Sequence, residues 1–501
     1  MTLSSAFSII NSAFASNAAQ SAVISSNVSN ANTPGYAREI ANVLTNSYGG
    51  SYVGSVTREA NSALLEQVNT ATSQAASEQA LANGLSTLAQ TVSDSASSSS
   101  TSGSTQNGDS PSAMLANLQS ALTTYEASPG NASAGQAVVT AASDLASSLN
   151  SGAATVQQVR EQADAAIASS VSTINSLLNQ FSQVDGTIVS GLAMGANVSS
   201  AEDTRDTILT QLSQQIGIST TTNPNGSTSI YTDSGVTLYQ SGIVSSLSFT
   251  PTATLVAGAS GNPVTVDGVP ITGASSPMAI QSGALAGLTD LRDTVAPQYQ
   301  AQLDQIAGGL VNAFAESDQS ATPTLPSLPG LFTYPGATGL PATNDMTGLA
   351  ASIEVNPNVD PSQGGNVALL QNGGISDPGN PAYTYNATGA AGYTGRIQQL
   401  IEATTATQPF DPAAGLGSSD SLGDYANASV SWLQGQTQQA SNQADYQKSL
   451  VTQATAALSN ATGVSLDTEM TNMLNIENTY TTTAKLLTTV NAMFTALINA
   501  V

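Results

Sequence analysis

The chain has 501 residues, no Cys, no His, and 33 acidic against 8 basic side chains, a net charge of −25. The missing Cys and His exclude disulfides, thiol nucleophiles, Cys/His zinc sites and imidazole-based triads, and the acidic balance argues against nucleic acid or anionic membranes as partners. Length allows about three domains, and no apolar run is long enough for a membrane span.

From Leu3, positions alternately four and three apart read Leu3, Phe7, Ile10, Phe14, Asn17, Ser21, Ile24, Val28 and Ala31. That 3.5-residue rhythm is the seam of a helix made to lie along other helices. A helix over 1–32 should end at Asn32-Thr33-Pro34-Gly35, because proline biases the residue before it away from helix and Gly35 permits a turn. Residues 36–57 read as short and extended, and helical periodicity returns from Glu59 to about Val92. A polar low-complexity loop is expected over 93–110. Helical patterns then fill 111–128, 134–149 and a long stretch of about 155–193. Residues 200–217 read as one more amphipathic helix, with Ser200 as cap and Gly217 as stop.

After Gly217 short alternating runs rich in Thr, Val and Gly predict a small antiparallel β module over 218–282. Helix resumes over 282–314, and 321–392 is Pro/Gly-rich and irregular, with a possible strand at 351–355. Helices follow near 393–406 and 419–459, and Gly463 sets off a last one. From Leu466 the seam rhythm returns as Leu466, Met470, Met473, Glu477, Tyr480, Ala484, Leu487, Asn491, Phe494, Ile498 and Val501, with a second stripe at Leu486, Val490, Met493 and Leu497. The fold class expected is mainly α with an inserted small antiparallel β module, in a nested architecture with paired N- and C-terminal coiled-coil helices. Its parts are 1–45 with 460–501 as a terminal coiled-coil domain, 46–217 with 283–320 and 393–459 as a helical domain, the β module 218–282, and the irregular 321–392. The two terminal segments carry too little apolar burial to be firm alone and should order against partner helices. The commoner fate of an apolar stripe, packing onto the chain's own core, stands beside that reading.

The segment "SSNVSNANTPGYARE" at 25–39, with Asn30, Asn32, Thr33, Pro34, Gly35 and Tyr36, resembles the signature after the first helix of the bacterial flagellar rod, hook and hook-associated proteins. The C-terminal "GVSLDTEMTNMLNIENTY…" resembles their closing helix, and "INSLLNQFSQVDGTI", "DTRDTILTQLSQQIGI" and "SGALAGLTDLRDTVAP" resemble the hook-associated members. The resemblance runs through 1–315 and 430–501, although Asn17 and Ser21 weaken the first seam and "NIENTYTTTAK" departs from the usual Gln-rich text. It implies a non-enzymatic structural subunit at the junction between hook and filament, with no cofactor. It also implies type III export of an unfolded chain and self-association into a ring. Hook protein would lie on one side, the second junction protein (hook-associated protein 3) on the other, and an export chaperone would help deliver the chain. The location implied is extracellular, in the flagellum. The first residues have no basic start followed by an unbroken apolar stretch, so no cleaved signal peptide is expected.

On this reading the subunit-interface residues are Leu3, Phe7, Ile10, Phe14, Ile24, Val28, Leu466, Met470, Met473, Tyr480, Leu487, Phe494 and Ile498. The Asn-Thr-Pro-Gly-Tyr turn is either an interface element or simply a rigid hinge, with Asn30 and Asn32 able to bond exposed helix-end carbonyls or a neighbouring subunit. Arg205 between Asp203 and Asp206, and Arg292 between Asp290 and Asp293, read as local ion pairs or as bridges between subunits. Glu202, Asp203 and Asp206 lack calcium-loop spacing and read as a solvated helix start, and Trp432 reads as core. The alternatives are another axial protein, hook protein or flagellin-like, and a secreted adhesin or enzyme with paired-carboxylate activity in 218–400.

Overall fold

A computed structural model describes residues 3–93 and 110–499. The polar loop expected at 93–110 therefore lies, but for its two ends, outside the described residues, as does Val501 of the C-terminal seam. The chain begins with α1 (Leu3–Asn30) and an antiparallel hairpin, β1 (Glu39–Thr45) and β2 (Ser51–Arg58), with Glu39 opposite Arg58 and Leu44 opposite Tyr52. Next come α2 (Ser62–Ala89), α3 (Pro111–Glu126), α4 (Ala132–Ala193) and α5 (Ser199–Gln215). Asn61, Ser110 and Asn131 cap α2, α3 and α4 by accepting backbone N–H groups of the first turn. At α5 the expected cap is displaced: Ser200 lies inside the helix, and Asn197 accepts the Ser199 N–H instead.

Seven short strands follow. A four-stranded antiparallel sheet takes β3 (Ile218–Thr222), β4 (Thr228–Thr232), β5 (Thr237–Gln240) and β6 (Ile243–Val244) in sequence order. A three-stranded one takes β7 (Leu247–Ser248), β8 (Thr265–Val266) and β9 (Val269–Pro270). Then α6 (Ala284–Asp290) runs through a π turn at Leu291–Val295 into α7 (Ala296–Ala313). Pro297 has no N–H to give an α-helical bond, and the wider turn just before it carries the helix through. Residues 314–394 hold only short pieces, including β10 (Phe332–Thr333) paired with β11 (Glu354–Val355) and the single turn α8 (Leu369–Asn372). The chain closes with α9 (Gly395–Thr405), the pair β12 (Thr407–Pro409) and β13 (Ser419–Ser421), then α10 (Leu422–Thr462) and α11 (Leu466–Asn499). α10 lies along α2, and α11 along α1. The fold is mainly α, with small antiparallel sheets and paired terminal helices.

One expectation needs correction. The two helices expected at 134–149 and 155–193 are a single helix of 62 residues, α4. Asn150 and Gly152, which read as a break, serve packing instead. The Asn150 amide donates to the carbonyls of Ala350 and Ile353, and a Cβ on Gly152 would lie 3.1 Å from Leu303. No proline interrupts the span, and the cost of one helical glycine, about 1 kcal/mol, is small against the contacts it permits.

α4 belongs to two apolar cores. Its first half, from Val138 to Val159, packs with the end of α2 and with α3, α7 and α10. Leu331, Phe332, Ile353, Val355 and Leu370 of the irregular segment join that core. Its second half, from Ile167 to Phe181, packs with α5 and with Ile230, Leu238, Tyr239 and Val266 of the sheets. At the divide sits a buried ionic group. Arg292, expected to make a local pair, is fully buried and bonds Asp164 of α4 at 2.6 Å and Asp293 at 2.7 Å. Arg160 donates to the Arg292 carbonyl at 3.0 Å and to the carbonyls of Val256 and Ala259.

Asp304 on α7 organises the irregular segment by accepting the N–H groups of Gly348 (2.8 Å) and Ala350 (2.9 Å). Burial pushes its pKa up to about 6, although those bonds act the other way. A carboxyl raised on folding adds stability that is complete below its unfolded pKa, about 3.9, and is lost as pH rises through 6. Asp304→Asn should therefore remove up to about 3 kcal/mol of pH-dependence between pH 4 and 7. Urea unfolding of both chains at the two pH values measures it, and equal pH-dependence in the two would refute the assignment.

Candidate functional site

Wherever seam residues of α1 meet α11, the helices run antiparallel. Phe14 and Tyr480 meet edge-on with ring centres 4.9 Å apart, while farther along α1 Ile24 shares a hollow with Asn472 and Ile476. Ile10, Asn17 and Ile24 are buried on α1, and Glu469 and Thr483 on α11. Leu3, Phe14, Met473, Ile476, Leu487 and Val490 are half-buried. The face α11 turns to α1 thus runs through Glu469, Ile476, Thr483 and Val490, of which only Val490 belongs to either stripe, with Met473 and Leu487 of the first stripe beside it. The other expected interface residues, Phe7, Val28, Leu466, Met470, Tyr480, Phe494 and Ile498, are exposed, Met470 at 60% and Ile498 at 66%. Leu474, Leu486, Met493 and Leu497 are exposed beside them.

Register explains the end of the stripe. Leu3 stands eleven residues before Phe14, and Asn491 eleven after Tyr480, so α11 runs on past the described start of α1. From Asn491 to Asn499 it is exposed on every side. Asn17, which weakened the seam in the sequence, is buried in it, and its Nδ2 has no hydrogen-bond partner. An amide left so inside a helix pair costs about 1–3 kcal/mol.

The turn after α1 is a tied hinge. The Thr33 N–H donates to the Asn30 carbonyl at 2.8 Å, and the Tyr36 N–H to the Thr33 carbonyl at 3.2 Å. Asn30 donates to the Ser26 carbonyl one turn back in α1. Gly35 has φ +81°, and a Cβ there would lie 2.9 Å from the Thr207 hydroxyl of α5. Asn32, Thr33, Pro34 and Gly35 are exposed. The residue that sequence reasoning missed is Asn27, only 1% exposed. Its amide donates to the Glu39 carbonyl (2.9 Å) and accepts the Glu39 N–H (2.8 Å), pairing as a strand neighbour would, and its oxygen also takes the Tyr36 hydroxyl (2.9 Å). Its surroundings in the sequence, Ser25-Ser26-Asn27-Val28-Ser29-Asn30, carried no signal that would have singled it out.

Two arginines fasten this hinge to the body. The Arg38 N–H donates to the Thr462 carbonyl, where α10 gives way to α11. Its guanidinium bonds Glu469 of α11 at 2.6 Å and Glu59 at 3.3 Å, and the Glu469 bond, only partly opposed by burial, raises its pKa. Arg58 at the end of β2 is ringed by Glu202 (3.0 Å), Asp203 (3.0 Å) and Asp206 (2.7 Å) of α5. Burial opposes its charge, and the three carboxylates, Asp206 foremost, more than restore it, so its pKa lies above the ordinary value. These acids are thus no solvated helix start. Arg205, expected to pair locally, lies 3.8 Å from Asp206 and donates to the Gly226 carbonyl at 3.0 Å.

Residues 104–323 match the family model described as the flagellar hook-associated protein FlgK helical domain. Residues 457–500 match the model described as the flagellar basal body rod FlgEFG protein C-terminal region. The chain is 26% identical over 332 residues to flagellar hook-associated protein 1 of Salmonella typhimurium, and equally to that of Salmonella typhi. Each alignment takes in 61% of this chain and 56% of the relative, so the chain spans little more than half the length of these curated relatives. A solved structure described as the flagellar hook junction protein FlgK from Burkholderia pseudomallei is similar at 23% identity and a TM-score of 0.41, over 54% of this chain and 46% of that one. The first match covers α3 to α7 and the second covers α11.

Asn27→Ala should leave both Glu39 backbone groups unpaired and cost about 2–3 kcal/mol, whereas Tyr36→Phe should cost about 1 kcal/mol. Amide exchange checks the difference: protection should fall in α1 and β1 first, with the α4 cores unaffected. Equal loss across the whole chain would mean that Asn27 acts on the body rather than on the hinge.

Proposed function

We propose that this chain, which resembles the flagellar hook-associated proteins over much of its length, is a structural subunit of the bacterial flagellum at the junction between hook and filament. The observation that carries the reading is the apolar end of α11. Met493, Phe494, Leu497 and Ile498 are exposed on a helix that outruns its partner, in a chain whose two cores bury residues such as Leu149, Leu178 and Phe181 completely. An apolar helix end left uncovered by its own chain fits assembly with further helices. Phe7 and Val28 on α1, and Leu466 and Met470 on α11, extend the uncovered surface.

In this reading the subunit works by binding and carries out no chemistry. Copies form a ring through the terminal helices, with hook protein on one side and the second junction protein, hook-associated protein 3, on the other. The chain reaches that place unfolded, through the flagellar type III route with an export chaperone, and is extracellular once assembled. Terminal helices that hold together weakly in the isolated subunit suit such a path. No helix among the described residues is long and apolar enough to cross a membrane.

Phe494→Asp tests the assignment. At an exposed position the change should alter stability of the isolated subunit by no more than about 0.5 kcal/mol, while burial of the carboxylate in an assembly would cost several kcal/mol. Cells should still export the variant, fail to retain it at the hook tip and shed filament subunits into the medium. Normal filaments, or a large fall in the melting temperature of the purified variant, would each count against an assembly role for this helix.

A further inference from the structure

We propose that the outward face of the β1–β2 hairpin is the seat for the C-terminal end of α11 from a neighbouring copy of this chain. The proposal rests on the reading of the chain as a self-assembling subunit and adds which two surfaces meet.

The hairpin lies along α1. At its turn, a Cβ on Gly49 would lie 3.6 Å from Ile9 and one on Gly50 would strike Ser12. At its base, Glu39 is held by Asn27. Pairing in register places Ile40, Leu44 and Tyr52 on one face, with Leu44 directly opposite Tyr52. Asn42 marks the same side, since its amide reaches both the Ser55 and Thr57 hydroxyls across the strand pair. All three apolar side chains are exposed, and Tyr48 at the turn is 84% exposed. Gly54 leaves room for Leu44 to lie flat across the face, where a Cβ would collide with its methyl group. A two-stranded sheet whose outer face carries exposed Ile40, Leu44 and Tyr52 among polar side chains is incomplete as it stands.

Charge identifies the occupant. Copies of a chain carrying −25 repel one another, so contact between them requires surfaces free of charge. Residues 40–57 contain no Asp, Glu, Lys or Arg, and neither do residues 486–501. These two faces set no like charges against each other when they meet, as a contact between two acidic copies needs. The helix end cannot come from the same molecule. α11 is unbroken from Leu466 to Asn499 and lies against α1, so its end points away from its own hairpin. The contact is heterologous, one surface from each copy, and repeats around a ring or along a helix.

The natural chain has no Cys, so introduced thiols report contacts without background. Leu44→Cys and Leu497→Cys chains expressed together should give a mixed disulfide dimer on mild oxidation of isolated flagella. That product should exceed either homodimer several-fold, and the double variant should give a ladder. Both chains present with no mixed product, or only Leu497→Cys pairs, would overturn the contact while leaving the junction reading intact. If either chain is not incorporated, Ser55→Cys with Met493→Cys, on the same hairpin face and one helical turn from Leu497, tests the contact with the same two outcomes. Absence of the unaltered chain from isolated flagella would instead remove the junction reading, and this contact with it.

Discussion

The orientation of the terminal helices on the body depends on two guanidinium groups. Arg38 and Arg58 stand at the two ends of a hairpin that follows directly from α1. Through them the hairpin base is bonded to α5, to the break between α10 and α11, and to α11 itself. A planar, permanently charged fork can satisfy several carboxylates at once where a lysine could not. The chain follows that distinction throughout. Arg160, Arg205, Arg292 and Arg396 are buried and the Arg58 side chain is nearly so, while Lys448 and Lys485 are exposed. With so few bases, the protein places its arginines where distant segments have to be joined. Removing one partner from such a group strands the others without compensation, at about 3–5 kcal/mol.

A second constraint is the continuity of α4. Because one helix supplies a wall to each core, the sheets and the helical bundle cannot shift independently without bending it. The Arg160–Asp164–Arg292–Asp293 group stands where the two cores divide, and its bonds from α4 to the π turn, Arg160 to the Arg292 carbonyl and Asp164 to Arg292, cross between elements. α6 and α7 make the same crossing through the π turn that carries Arg292. Two parallel connections, one of them a helix of 62 residues, make the body a unit despite its separate cores.

Periodic features were legible in the sequence. The 3.5-residue rhythm of both ends foretold helices that lie together, and Asn-Thr-Pro-Gly-Tyr foretold the turn, because each depends on neighbours a few residues away. The face α11 turns to α1 was not legible. Two apolar stripes stood side by side, and only the partner decides that Ile476, Thr483 and Val490 turn inward while Met470 and Phe494 face out. Arg58 lies 144 residues from Glu202, and no local spacing announces such a pair. The reading of α4 as two helices failed for a related reason. Asn150 and Gly152 have poor helix propensity, and the contacts that compensate come from residues 303, 350 and 353. Asn27 was hidden in plain view, a polar side chain in a polar stretch, distinguished only by the strand it completes.

The bond between Arg38 and Glu469 spans 431 residues, against 12 for the bond between Asn27 and Glu39. In a flexible chain the entropy of closing the longer loop exceeds that of the shorter by about 3 kcal/mol. The link becomes inexpensive only after the intervening cores have condensed and brought residues 58, 202 and 462 into one neighbourhood. α1 and the hairpin can therefore join each other through short loops, whereas the junction of α11 with them closes the longer loop. A molecule that emerges N-terminus first through a narrow passage would thus complete its body before its ends could close. During that interval both apolar terminal helices are available to whatever stands at the exit.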